Sequence, residues 1–188
     1  MRKQKVYRLT TCALMAALMC VLGPMSIPIG PIPVSFTNFV IFLSVYFLGM
    51  RGTTISYIVY LLLGVMGMPV FSGYQGGLGK LAGPTGGYLV GFILTALISG
   101  FVMEYSHAHT LTTILGMMVS MVFAYFVGTA WFVLEMQCKV WYALTSCVFP
   151  FVLGDIIKIL VATALGKIIR NALVKASLLP ARNKEDYS

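Results

Sequence analysis

Charge is what this chain has least of. Five of its 188 residues are acidic, and Asp, Glu, Lys and Arg together make up 10% of it, against about a quarter in a soluble domain that must cover its surface. That scarcity excludes a soluble globular domain, and a hydrophobic content of 59% with a mean hydropathy of +0.93 implies an integral membrane protein. Metal-ligand spacing is lacking too. Cys12, Cys20, Cys138 and Cys147 form no C-x-x-C pattern and read as small apolar side chains, so neither a metal, a cofactor nor a Cys138–Cys147 disulfide is expected. A nucleotide site is lacking as well. Gly76-Gly77-Leu78-Gly79-Lys80 resembles a phosphate loop, but Tyr74 stands where the pattern needs glycine and Leu81 where it needs Ser or Thr. No nucleophile, base and orienting group assemble from the sequence, and no enzyme activity is expected.

In place of charge there are apolar runs long enough to cross about 30 Å of hydrocarbon at 1.5 Å per residue. The pattern predicts an all-α membrane domain over 1–188 with six transmembrane helices, at about 9–22, 36–48, 53–66, 86–103, 110–134 and 149–174. Net charge is +8, but its placement speaks for a membrane and not for nucleic acid. Arg2, Lys3, Lys5, Arg8, Arg51, Lys167, Arg170, Lys175, Arg182 and Lys184 fall on one side of a six-helix arrangement, Lys80 and Lys139 on the other. By the positive-inside rule both termini are expected to be cytoplasmic. No A-x-A site follows the first helix near Gly23-Pro24, so it is read as part of the mature protein and not as a secretory signal.

Between the helices, Gly23 to Val34 carries Pro24, Pro28, Pro31 and Pro33, which break regular helix. Irregular backbone at membrane depth must be buried or line a wet cavity, so this segment is a candidate ligand-covering loop. Small residues recur every fourth position at Gly83, Gly87, Gly91, Thr95 and Ser99; at Gly116, Ser120, Ala124 and Gly128; and at Gly154, Ala162 and Gly166. That spacing keeps them on one face and predicts close packing among the fourth, fifth and sixth helices. His107 and His109 read as a solvated turn, and Glu135 with Lys139 as an exposed i, i+4 pair.

The sharpest feature is Gly154-Asp155-Ile156-Ile157-Lys158 inside the last apolar run. Each charge at mid-bilayer costs about 2.5 to 3.5 kcal/mol on insertion scales, so the pair is either a structural i, i+3 ion pair or a site for a polar ligand. Lys158 falls in register with the small stripe and should point into the bundle, with Asp155 bordering the same face. A second candidate is Gly83-Pro84-Thr85-Gly86-Gly87-Tyr88. Here Thr85 can cap a helix, while Gly86 and Gly87 permit close backbone approach, either to a ligand or to a neighbouring helix. Ala13 and Ala17 make a small-residue face on the first helix, for internal packing or for a partner helix.

Ala13-Leu14-Met15-Ala16-Ala17-Leu18, Pro33-Val34-Ser35-Phe36-Thr37, Gly83-Pro84-Thr85-Gly86-Gly87-Tyr88-Leu89 and Gly154-Asp155-Ile156-Ile157-Lys158, in that order, resemble the BioY family, the biotin-binding S components of energy-coupling factor (ECF) transporters. The resemblance implies a multi-pass prokaryotic plasma-membrane protein. It would capture biotin outside and dock on a transmembrane T component driven by two cytoplasmic ATPases. Ala13 and Ala17 would be the docking face, and Asp155 and Lys158 binding-site residues. Biotin suits the residues: Asp155 can accept from its ureido N–H groups, Lys158 can donate to an oxygen, and Tyr88, Phe36 or Trp131 can pack on its rings. Thr85, Gly86 and Thr37 complete the expected binding set. The residues alone also fit a secondary transporter or channel coupled through Asp155.

Overall fold

A computed structural model describes residues 2–29, 32–106 and 109–176, so Pro31, His107, Arg182 and Lys184 lie outside the described residues. Helix α1 (Arg2–Leu22) begins at the basic end and runs on through the first apolar stretch. The proline-rich segment is then not a loop throughout. It forms an antiparallel ribbon of β1 (Ser26–Ile29) and β2 (Ile32–Ser35), in register Ser26 to Ser35 and Ile27 to Val34. Pro28 faces Pro33 across it, which is tolerated because each strand of a two-stranded ribbon is an edge.

Helix α2 (Thr37–Val65) has the length of one span, yet Gly49 interrupts it at φ 66°, ψ −164°. The Ser44 hydroxyl donates to Thr53 Oγ1 at 3.2 Å, and Thr37 Oγ1 lies 3.4 Å from the Tyr60 hydroxyl. Residues 23 apart on a straight helix would be about 34 Å apart. The segment therefore folds back at Gly49 into two antiparallel arms. Glu104 holds the reversal, accepting the Met50 N–H at 2.7 Å. A Cβ on Gly49 would stand 2.2 Å from that carboxylate.

After α2 come a short α3 (Leu78–Ala82), α4 (Gly86–Tyr105), α5 (Thr110–Met136), α6 (Val140–Cys147) and α7 (Phe149–Lys175). Thr37–Val65, Gly86–Tyr105, Thr110–Met136 and the Val140–Lys175 stretch are long and apolar enough to cross a membrane, with Val6–Leu22 a shorter apolar helix. Their outward faces carry exposed Leu14, Phe126, Leu134, Val152 and Leu153, as lipid contact requires.

The small-residue stripes close one seam tightly. A Cβ on Gly91 would lie 3.1 Å from the Ala124 backbone, and Gly87 and Gly128 sit against Trp131 and the Tyr88 ring, so α4 and α5 meet backbone to backbone. The expected three-helix cluster is otherwise corrected. Helix α7 packs more on α2 than on α5, with Gly166 against Tyr46. Gly154 faces open space, with nothing within 4 Å of its would-be Cβ. The Glu135–Lys139 pair does not form either, because Gln137 turns left-handed (φ 49°) and ends α5 between them. The four cysteines are free thiols.

Candidate functional site

The polar residues of the last helix are drawn inward by partners from elsewhere in the chain. Asp155 and Lys158 are 5% and 9% exposed and form an ion pair of 3.0 Å. Asn38, at the start of α2, donates from Nδ2 to Asp155 Oδ1 at 2.7 Å. Tyr125 on α5 donates to Asp155 Oδ2. Lys158 Nζ donates to Ser35 O at 2.8 Å, Asn38 Oδ1 at 3.1 Å and Asp155 Oδ1 at 3.0 Å. The Phe36 ring lies 5.7 Å from the ammonium, a cation–π distance. Three elements thus converge on one charge pair, and every lysine proton is spent on a protein acceptor. Asp155, whose two oxygens offer about four lone-pair sites, keeps one free.

These groups form the polar end of a cavity with ≈ 70 Å³ of free interior, widening to ≈ 610 Å³ when counted out to its mouth. Its walls are mostly apolar, from Leu89, Phe92, Met121 and Phe151, and the β2 ribbon from Ile32 to Ser35 forms one side. Apolar walls with a few convergent polar groups are the usual make-up of a small-molecule site.

Most of the expected site residues come together here. Asp155, Lys158, Tyr88, Thr85 and Thr37 line the cavity, and Phe36 stands behind Lys158. The Tyr88 hydroxyl lies 3.2 Å from Thr129 Oγ1 and its ring packs on Gly128, which holds it as a wall. Thr85 does not cap α4 through its side chain; the residue lines the cavity, and its hydroxyl is buried without a hydrogen-bond partner. Gly86 is placed differently from expectation. A Cβ there would stand 1.6 Å from the Leu81 carbonyl, so its smallness serves the packing of α3 on α4, and it does not line the cavity. Trp131 is also outside, 38% exposed with its indole N–H donating to Gly83 O. Ala13 and Ala17 are exposed on α1, whose Met15, Ala16 and Met19 are buried instead, so they are not internal packing.

Two residues escaped the sequence reading, Asn38 and Tyr125. Asn38 left a signal, since it is the one amide among Phe36-Thr37-Asn38-Phe39-Val40-Ile41-Phe42, and an unpaired amide at that depth would cost free energy. Tyr125 left none, because a tyrosine in an apolar run is equally at home as a wall. Beside the expected Thr37, α2 also supplies Asn38 and Tyr60.

A bundle of apolar helices enclosing a small, mostly apolar cavity with a buried charge pair at its end defines a membrane-embedded ligand-binding protein. The chain belongs to the BioY family, whose sequence model matches residues 1–175. It is 34% identical over 173 residues to biotin transporter BioY2 of Lactococcus lactis subsp. cremoris, covering 92% of this chain and 95% of that one. It is 38% identical over 156 residues to biotin transporter BioY of Thermotoga maritima, covering 82% and 90%. A crystal structure of the S-component for biotin from an ECF-type ABC transporter superposes with a TM-score of 0.86 at 28% identity, over 100% of this chain and 98% of that one.

Proposed function

We propose that this chain captures biotin as the S component of an ECF-type transporter. The observation that carries the reading is the convergence of Asn38, Tyr125, Asp155 and Lys158 at the end of an apolar-walled cavity, in a fold shared along its whole length with a biotin S-component. The two rings and the alkyl chain of biotin suit the walls. Its ureido N–H groups suit the free acceptor site of Asp155, and the ureido carbonyl suits the Asn38 amide. Thr85, Tyr88, Thr37 and Phe36 complete the pocket. The β2 strand of the ribbon lines one side of the cavity, as a ligand-covering segment would.

On this reading the protein crosses the plasma membrane six times, through α1, the two arms of α2, α4, α5 and α7. The basic ends and the Gly49 turn lie in the cytoplasm, and the ribbon, α3 and α6 lie outside. Charge placement supports this orientation. The likeness to an S-component of an ECF-type transporter supports a partner arrangement in which a T component with two cytoplasmic ATPases energises uptake, and the exposed Ala13–Ala17 face suits a partner helix. The test is calorimetric titration of the purified chain with biotin, followed by uptake into proteoliposomes with and without the partner module. Saturable binding with ATP-dependent uptake is expected. No binding would overturn the reading, and partner-free uptake driven by a pH gradient would favour a secondary transporter coupled through Asp155.

A further inference from the structure

The floor of the cavity has no cation to spare for an acidic ligand. A protonated lysine has three N–H donors, and those of Lys158 go to Ser35, Asn38 and Asp155. Asp155 also balances its charge. A ligand carrying a carboxylate brings a further negative charge into a partly desolvated space, which is costly unless another cation meets it.

That cation lies in a second cavity. A vestibule of ≈ 520 Å³ is lined by Gln75, Gly79, Lys80 and Pro84 and touches the first cavity at Thr85, which lines both. Lys80 rides on α3, in the glycine-rich stretch that fails as a phosphate loop. It is half-buried and has no side-chain hydrogen bond or ion pair among the described residues. Burial pulls its pKa down from the ordinary lysine value, as expected of a cation held without a counter-ion. At the junction, the Thr85 hydroxyl is buried and unpartnered. Lys80 and Thr85, neither with a side-chain partner among the described residues, therefore line two adjoining pockets that meet at Thr85.

Resting on the biotin reading above, we propose that Lys80 determines specificity at the mouth of the site: it receives the ligand's carboxylate, with the Thr85 hydroxyl donating beside it. The ligand then lies with its ureido end at Asp155 and its acid end at α3.

Titration of biotin and of its neutral amide, which keeps the rings and chain, into the purified full chain tests this. The parent should prefer the acid over the amide. Lys80→Met should weaken biotin by about tenfold or more and leave the amide within about twofold, while Lys80→Arg keeps the preference for the acid. Equal effects of Lys80→Met on both ligands, or on neither, would overturn the assignment. So would loss of the acid preference on Lys158→Met but not on Lys80→Met. A parent that binds neither ligand overturns the biotin reading and this inference with it, whereas a parent that binds both without preference overturns this inference alone.

Discussion

The seam between α4 and α5 and the seam between α5 and α7 carry the same kind of sequence and end in opposite ways. In the first, Gly91 lies against Ala124 and Gly87 against Trp131, so a single methyl group has little or no room. In the second, Gly154 meets nothing, and an apolar groove of ≈ 850 Å³ opens between α5 and the α6–α7 stretch, lined by Val122, Phe126, Val133, Val148 and Val152. Met121, Tyr125 and Asp155 line both that groove and the ligand cavity. A small residue every fourth position allows close approach but does not compel it. Where the facing helix must carry a tyrosine that reaches a buried carboxylate, the helices stand apart. The third small pair, Ala13 and Ala17, is exposed on α1.

The comparison can be broken most forcefully at the charge pair. Asp155→Asn combined with Lys158→Met should lower biotin affinity about a hundredfold by calorimetry, because hydrogen bonds to charged groups are worth about 1.5 to 3 kcal/mol. The single change Lys158→Met should cost more stability than the double one, because it leaves a buried carboxylate without its cation, a loss of about 3 to 5 kcal/mol. Parent-like biotin binding by the double variant would make the pair purely structural.

The closed seam comes next. Gly91→Leu forces a side chain against the Ala124 backbone and should destabilise by about 1 to 3 kcal/mol, read as a lower melting temperature in detergent with weaker binding. Smaller still is the open seam. Gly154→Ala should leave binding unchanged and raise stability by about 0.4 to 1 kcal/mol, since the site is roomy and alanine reduces the freedom of the unfolded chain. If Gly154→Ala instead melts lower than the parent, α7 packs more tightly there than its open surroundings indicate.

The smallest expected effect on binding is at the exposed pair. Ala13→Trp with Ala17→Trp should leave biotin affinity of the isolated chain unaltered and abolish copurification with a T component, because bulk on that face touches only what docks there. Loss of binding in the isolated chain would show that this face communicates with the cavity.

Much of this was legible from residues alone. The membrane class, the positions of the long helices and the inward aim of Lys158 follow from apolar run length and from the cost of a charge in lipid. Both are properties of a short stretch and need no knowledge of its neighbours. The reversal at Gly49 was legible too, because Gly49-Met50-Arg51-Gly52 interrupts the apolar run within four residues. Partnership across the fold was not. Asn38 reaches Asp155 over 117 positions and Tyr125 over 30, and nothing local to either end names the other. Gly86 and Trp131 were placed in the site from their neighbourhood in sequence, but folding sent them to Leu81 and Gly83 instead. Residue chemistry alone places a charge pair within a helical membrane bundle, because burying it without compensation is prohibitive. Which helices compensate it and which seam stays open come from the packed fold, because those depend on distances that arise when the chain packs.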